Sequence, residues 1–188
     1  MTHPTTPLTP PSLTRVAVGA ILGGLGVVAA IGVGFATAYG VSPLAWLSKA
    51  TAASRLHAPN LAILEAASLA IKVHLATVVA ALVLATLQMV LPKGRALHRV
   101  LGWTLVVLLM TTSVAAVFIR NPFAGEISPF VVFSAWTLFA APFGVVAARA
   151  HNVRRHAGLM SGLYFGGLIL AGLLTFLPGR MMWRIFFG

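Results

Sequence analysis

Apolar residues form long unbroken runs along this chain, and polar residues collect in the short stretches between them. The first run, residues 16–39, carries no charge. A helical pattern follows over 61–91, uncharged from residue 73 onward, and further runs cover 100–119, 130–148 and 157–177. Each is near the ~20 residues a helix needs to cross a bilayer. The punctuation between them breaks helices: Pro92 and Gly94 in "PKGR", then "RNPFAGEISP" and "RAHNVRRH". The pattern predicts an all-α integral membrane protein with five transmembrane helices, the last four an up-down bundle. Residues 1–15 read as a disordered Pro/Thr-rich arm and 16–40 as the first transmembrane helix. Residues 41–60 read as an interfacial connection, 61–178 as the four-helix membrane bundle and 179–188 as an amphipathic tail resting on head groups. The first run exceeds the roughly 7–15 apolar residues of a signal peptide, so it is read as a retained helix. Pro142 predicts a kink in the fourth span.

Composition agrees with the pattern. Charged residues make up 8% of the 188 and hydrophobic ones 59%, against roughly 25% charged in a soluble domain. Net charge is +11, from 13 Lys and Arg against 2 acids. The basic residues lie between apolar runs, where they anchor loops to anionic head groups. Nucleic acid is not an expected partner; the lipid bilayer is. Five spans put Arg15, Lys93, Arg95, Arg99, Arg149, Arg154 and Arg155 on one side, and Lys49, Arg55, Lys72, Arg120, Arg180 and Arg184 on the other. The two short basic loops weigh most, so the N-terminus is expected in the cytoplasm of a bacterial inner membrane.

Cysteine and aspartate are absent, and the carboxylates are Glu65 and Glu126. That excludes disulfides, thiolate metal sites and cysteine nucleophiles, and disfavours paired-carboxylate catalysis. With no catalytic constellation the chain is not read as a stand-alone enzyme. Histidine is left as the side chain able to ligate a metal or move protons near neutral pH.

The topology sorts the histidines. His98 opens the third span and His156 the fifth, on one side of the membrane and on helices expected to face each other diagonally across the bundle. Two histidines at matching depth are a candidate pair of ligands to one metal ion. Imidazole suits iron, copper, nickel and zinc alike, so the pair alone does not choose the metal. Gly102 one turn below His98, and Gly158 and Gly162 below His156, leave room for a flat macrocycle such as haem b. Arg99 and Arg155 could pair with its propionates. The plainer alternative is hydrated interface histidines, packing glycines and ordinary anchoring arginines.

His74 opens the second span on the opposite side. Its helix face through Thr77, Ala81, Ala85 and Gln88 is small or polar and should face protein. A partner would have to come from the fourth span. The stripe there, Ser134, Thr137, Ala141, Gly144 and Ala148, extends upward to Val131, which ligates nothing. A hydrogen-bonding role is expected for His74, with Gln88 a further polar candidate.

The stretches "KVHLATVVAAL", "LPKGRALHRVLGW", "ISPFVVFSAWTL" and "RRHAGLMSGLYFGGLILAGLLTFLPGR" resemble an uncharacterised bacterial membrane family, domain of unknown function 2306, over roughly residues 72–180. The resemblance implies functional positions at His74, at His98 with Arg99, and at His156. The chain departs from the family pattern twice: Val131 stands where many relatives have histidine after Ser-Pro-Ile, and Ala157 where they have arginine. If relatives hold two histidine pairs, this chain keeps His98 with His156. Such an arrangement is similar in architecture to the four-helix di-haem membrane cytochromes.

Three functions are carried forward. The first is a haem-b-binding protein for electron transfer or haem handling. The second is a non-catalytic accessory or assembly subunit that meets other membrane subunits through the first helix. The third is a small-solute or lipid transporter, disfavoured because no broken span repeats between halves.

Overall fold

The structure, a computed structural model, describes residues 54–119 and 131–187 continuously, with scattered positions between 14 and 52. The arm, most of the first span and the turn after the third span lie outside the described residues. Among the described residues every regular element is helical. A short helix α1 spans Ala62–Glu65, followed by α2 at Leu69–Val90, α3 at Ala96–Val117 and α4 at Val131–Arg149. The last span begins as α5 at Val153–Gly162, continues as a π-helical segment at Leu163–Leu170, and ends as α6 at Ala171–Leu174. A tail helix α7 covers Met181–Phe186. Four of these helices, the last running from Val153 to Leu174, are long and apolar enough to cross a membrane.

Neighbours in sequence are neighbours in space: α2 packs on α3, α3 on α4 and α4 on α5, while the π segment returns to α2. The ring closes around Ala81, Ala85, Leu105, Leu109, Ala140, Ala141, Leu163 and Leu168. Alanines make up half of this core, because lipid offers no hydrophobic incentive for helices to associate and close backbone approach supplies contact. Large side chains such as Trp103, Trp136 and Phe139 stay exposed on the outer surface, where lipid tails cover them. The small-residue stripe of α4 is buried through Ser134, Thr137, Ala141 and Gly144 as the spacing predicts, but its last member is Ala147, while Ala148 is exposed.

α2, α3 and α5 begin about a turn before their uncharged runs do. Ser68 is extended, and its Oγ accepts from the Ile71 N–H, which splits the pattern expected over 61–91 into α1 and α2. Asn152 does the same for α5, its Oδ1 accepting from the Arg155 N–H at 3.0 Å. Both side chains satisfy donors that a helix start leaves orphaned. His98 and His156 therefore lie inside the first turns of their helices. Pro142 sits within α4, which runs from Val131 to Arg149 without a break.

The tail docks on the segment before α1. The Arg55, His57 and Asn60 N–H groups donate to the Phe187, Phe186 and Ile185 carbonyls at 3.2, 3.0 and 3.0 Å. Trp183 Nε1–H reaches Ser54 Oγ at 3.1 Å, and Ile185 is buried. A short helix has unpaired carbonyls at its end, and the extended segment around residues 55–60 supplies their donors.

Candidate functional site

The turns joining α2 to α3 and α4 to α5 lie at the same end of the bundle. In the first, Leu91 is extended ahead of Pro92, as a residue before proline prefers. Gly94 takes a left-handed φ of 79° that its missing Cβ permits. Arg99 donates from Nη1 to the Gly94 carbonyl at 3.1 Å and so braces this turn. In the second, the Asn152 N–H reaches the Ala147 carbonyl at 2.9 Å and the His151 N–H the Ala148 carbonyl at 3.1 Å. His151 is left-handed, φ 56°, so the three form a Schellman stop. Asn152 closes α4 and caps α5 in a single residue.

That reversal lays His156 beside Gly144. The ring's Nδ1 is 2.9 Å from the Gly144 carbonyl oxygen. A carbonyl can only accept, so Nδ1 carries the proton, and the neutral ring keeps its lone pair on Nε2. Gly144 also seats Met160, whose flexible terminal Cε lies 2.0 Å from where a Cβ would stand.

Across the bundle, the His98 and His156 rings approach in an edge-on, T-shaped arrangement, with centroids 6.3 Å apart and planes at 82°. The structure thus brings together the two histidines singled out from the sequence. Beneath His98, Gln88 is 8% exposed and donates from Nε2 to the His98 carbonyl at 2.9 Å. A Cβ on Gly102 would stand 3.3 Å from that Nε2, so the space before Gly102 is filled by the Gln88 amide. Gly158 and Gly162 differ. Nothing lies within 4 Å of a Cβ built on either, although both are half-buried. Gln88 Oε1 and His98 Nδ1 are buried with no hydrogen-bond partner. Arg155 is exposed beside the site. Among the described residues, no three His, Cys, Asp or Glu side chains gather as a metal cluster.

His74 lies at the opposite end. Its Nδ1–H donates to the Thr112 carbonyl at 2.9 Å, and the Thr112 hydroxyl donates to the His74 carbonyl at 3.3 Å. The hydroxyls of Thr77 and Thr112 are also bonded. His74's partner therefore comes from α3, not from the fourth span where the sequence directs the search. A backbone carbonyl has no signature in sequence, so neither Thr112 nor Gly144 could be read as an acceptor. The π segment was also unforeseen. Its Tyr164 hydroxyl lies 3.2 Å from Thr86 Oγ1 on α2, a polar tie between the last span and the second.

With four membrane-length helices, and histidines within the first two turns of three of them, the chain is a multi-pass membrane protein. It belongs to the family described as "Predicted membrane protein (DUF2306)", whose model matches residues 71–186. No curated protein and no solved structure matches it.

Proposed function

We propose that the chain binds one b-type haem between His98 and His156 and serves electron transfer or haem handling at one face of the membrane. The observation that carries this reading is the close approach of the two rings, whose centroids are 6.3 Å apart. A metal–imidazole bond of about 2 Å, with the ring centre roughly 1 Å further out, separates two opposed ligand rings by about 6 Å. The His156 tautomer supports it as well, because a ligating histidine characteristically gives its other N–H to a carbonyl or carboxylate. Haem fits better than zinc. A structural zinc site takes four protein ligands, and the described residues offer two, whereas haem brings four nitrogens of its own. Gly158 and Gly162 do not make the room expected of them: at about 100° per residue they stand roughly 200° and 240° around α5 from His156, so the open space before them lies on the far face of the helix. Arg155 is free to turn toward a propionate; Arg99 would have to leave the Gly94 carbonyl.

When bound, haem would supply one-electron chemistry. The chain's residues would hold it and exclude water from one face. At the other end, His74 gives its Nδ1–H to Thr112 and α4 opens with Val131, so the described residues offer no second histidine pair. The reading is therefore a single-haem protein exchanging electrons on the His98 face. The basic turns at that end support a cytoplasmic placement, and through it a bacterial inner membrane with the N-terminus inside.

Visible spectra of the detergent-purified full chain, air-oxidised and then dithionite-reduced, test the proposal. The expected result is a Soret band with sharp reduced α and β bands, lost in both His98→Ala and His156→Ala. A featureless spectrum from folded, haem-supplemented protein would sink it and turn attention to partners captured through the first span.

A further inference from the structure

Two buried polar atoms at this end lack partners, and they are chemically complementary. Gln88 Oε1 can only accept, and His98 Nδ1 can donate. The Gln88 amide cannot be turned around to cure its own defect, because Nε2 is committed to the His98 carbonyl and an oxygen placed there would face an oxygen. A buried acceptor left bare is destabilising, the more so where hydrocarbon rather than bulk solvent surrounds the bundle. Gln88 is also an expensive residue to place at a position otherwise lined by alanines, Ala81 and Ala85, on the same buried face. Gly102 keeps the space its amide needs.

We infer that Gln88 is the positioning residue of His98: its Oε1 accepts, through one trapped water, the proton carried on His98 Nδ1. One water satisfies both atoms, donating to Oε1 and accepting from Nδ1–H, which is what buried waters do at paired orphan sites. The consequence is specific. His98 is held as the Nδ1–H tautomer with its lone pair on Nε2, the same state that the Gly144 carbonyl imposes on His156. Both rings then present Nε2, one set by a backbone carbonyl and one by a side chain. The ligand-positioning role rests on the haem proposal; the tautomer does not.

The test is ¹⁵N NMR of the full chain, haem-free and ring-labelled at histidine, in lipid nanodiscs at about pH 8, above the ordinary imidazole range. His98 is assigned by its disappearance in His98→Asn. The expected spectrum shows His98 protonated at Nδ1. Gln88→Met, close in size but without an acceptor, should abolish that preference. Gln88→Glu, which keeps an acceptor oxygen in either protonation state, should retain it. In haem-loaded protein, Gln88→Met should weaken haem binding about 10-fold, the usual effect of losing a partner behind a ligand, where His98→Ala abolishes it. Wild-type His98 carrying its proton on Nε2, or a Gln88→Met spectrum identical to wild type, would overturn the inference. Protein that takes up no haem yet shows the Nδ1–H tautomer overturns the haem reading alone, so the two failures are distinguishable.

Discussion

Gly144 carries two jobs in one residue, and they predict different outcomes for different substitutions. Its carbonyl holds His156, and its bare Cα lets α5 approach α4. An alanine there meets the terminal methyl of Met160 at 2.0 Å, with Met160 Sδ at 3.6 Å and Leu159 Cβ at 3.8 Å. The nearest atom is the flexible end of a methionine, which can swing aside. Gly144→Ala should therefore stay close to wild type in thermal denaturation in detergent. Gly144→Leu cannot be absorbed that way. It should cost about 1–3 kcal/mol as an overpacked contact and draw His156 away from His98, so any bound chromophore would weaken along with stability. Equal melting temperatures for Gly144→Leu and wild type would show that α4 and α5 are not in contact at this point.

The reversal between α4 and α5 compresses a stop and a start into residues 150–152. Asn152→Ala removes the cap on the Arg155 N–H and should lower stability by about 1 kcal/mol. His151→Gly should act in the opposite direction. It relieves a left-handed non-glycine residue, a conformation costing roughly 1–2 kcal/mol, offset in part by the extra freedom of glycine when unfolded. Measured side by side by thermal shift, the two variants should move the midpoint in opposite senses. A His151→Gly variant that loses stability would mean that the histidine contributes contacts beyond its backbone. The loop is short and basic, as its sequence suggests, but its dual capping role depends on φ at His151, and no periodicity encodes that angle.

Orientation belongs to the whole molecule. The turn between α2 and α3 and the turn between α4 and α5 put Lys93, Arg95, Arg99, Arg149, Arg154 and Arg155 at one end, while Lys72, Arg180 and Arg184 lie at the other. Cysteine is absent from the chain, so single-cysteine labelling needs no background correction. Arg184→Cys and Arg154→Cys are both at exposed positions. With a membrane-impermeant maleimide on intact cells, Arg184→Cys should label and Arg154→Cys should label only after permeabilisation. The reverse pattern would put the histidine pair on the outer face and change the compartment of any electron partner.

Much of this architecture follows from hydropathy alone. A run of about 20 apolar residues can satisfy its backbone in a bilayer only as a helix, so spans two to five, their alternation and the shared end of His98 and His156 follow from counting along the chain. The buried faces of α2 and α4 were legible because small and polar residues recur there at helical spacing. The tertiary structure alone decided what the side chains touch. His156 meets a carbonyl 12 residues back in the chain, His74 one 38 residues ahead, and Gln88, not open space, fills the front of Gly102. The docking of the tail on the segment around residues 55–60 and the π segment of the last span were likewise invisible. These contacts run through backbone atoms and helix rotation. Backbone carbonyls are identical at every residue, and a rotation of one helix against another is set by packing across the bundle, which no single stretch of sequence contains.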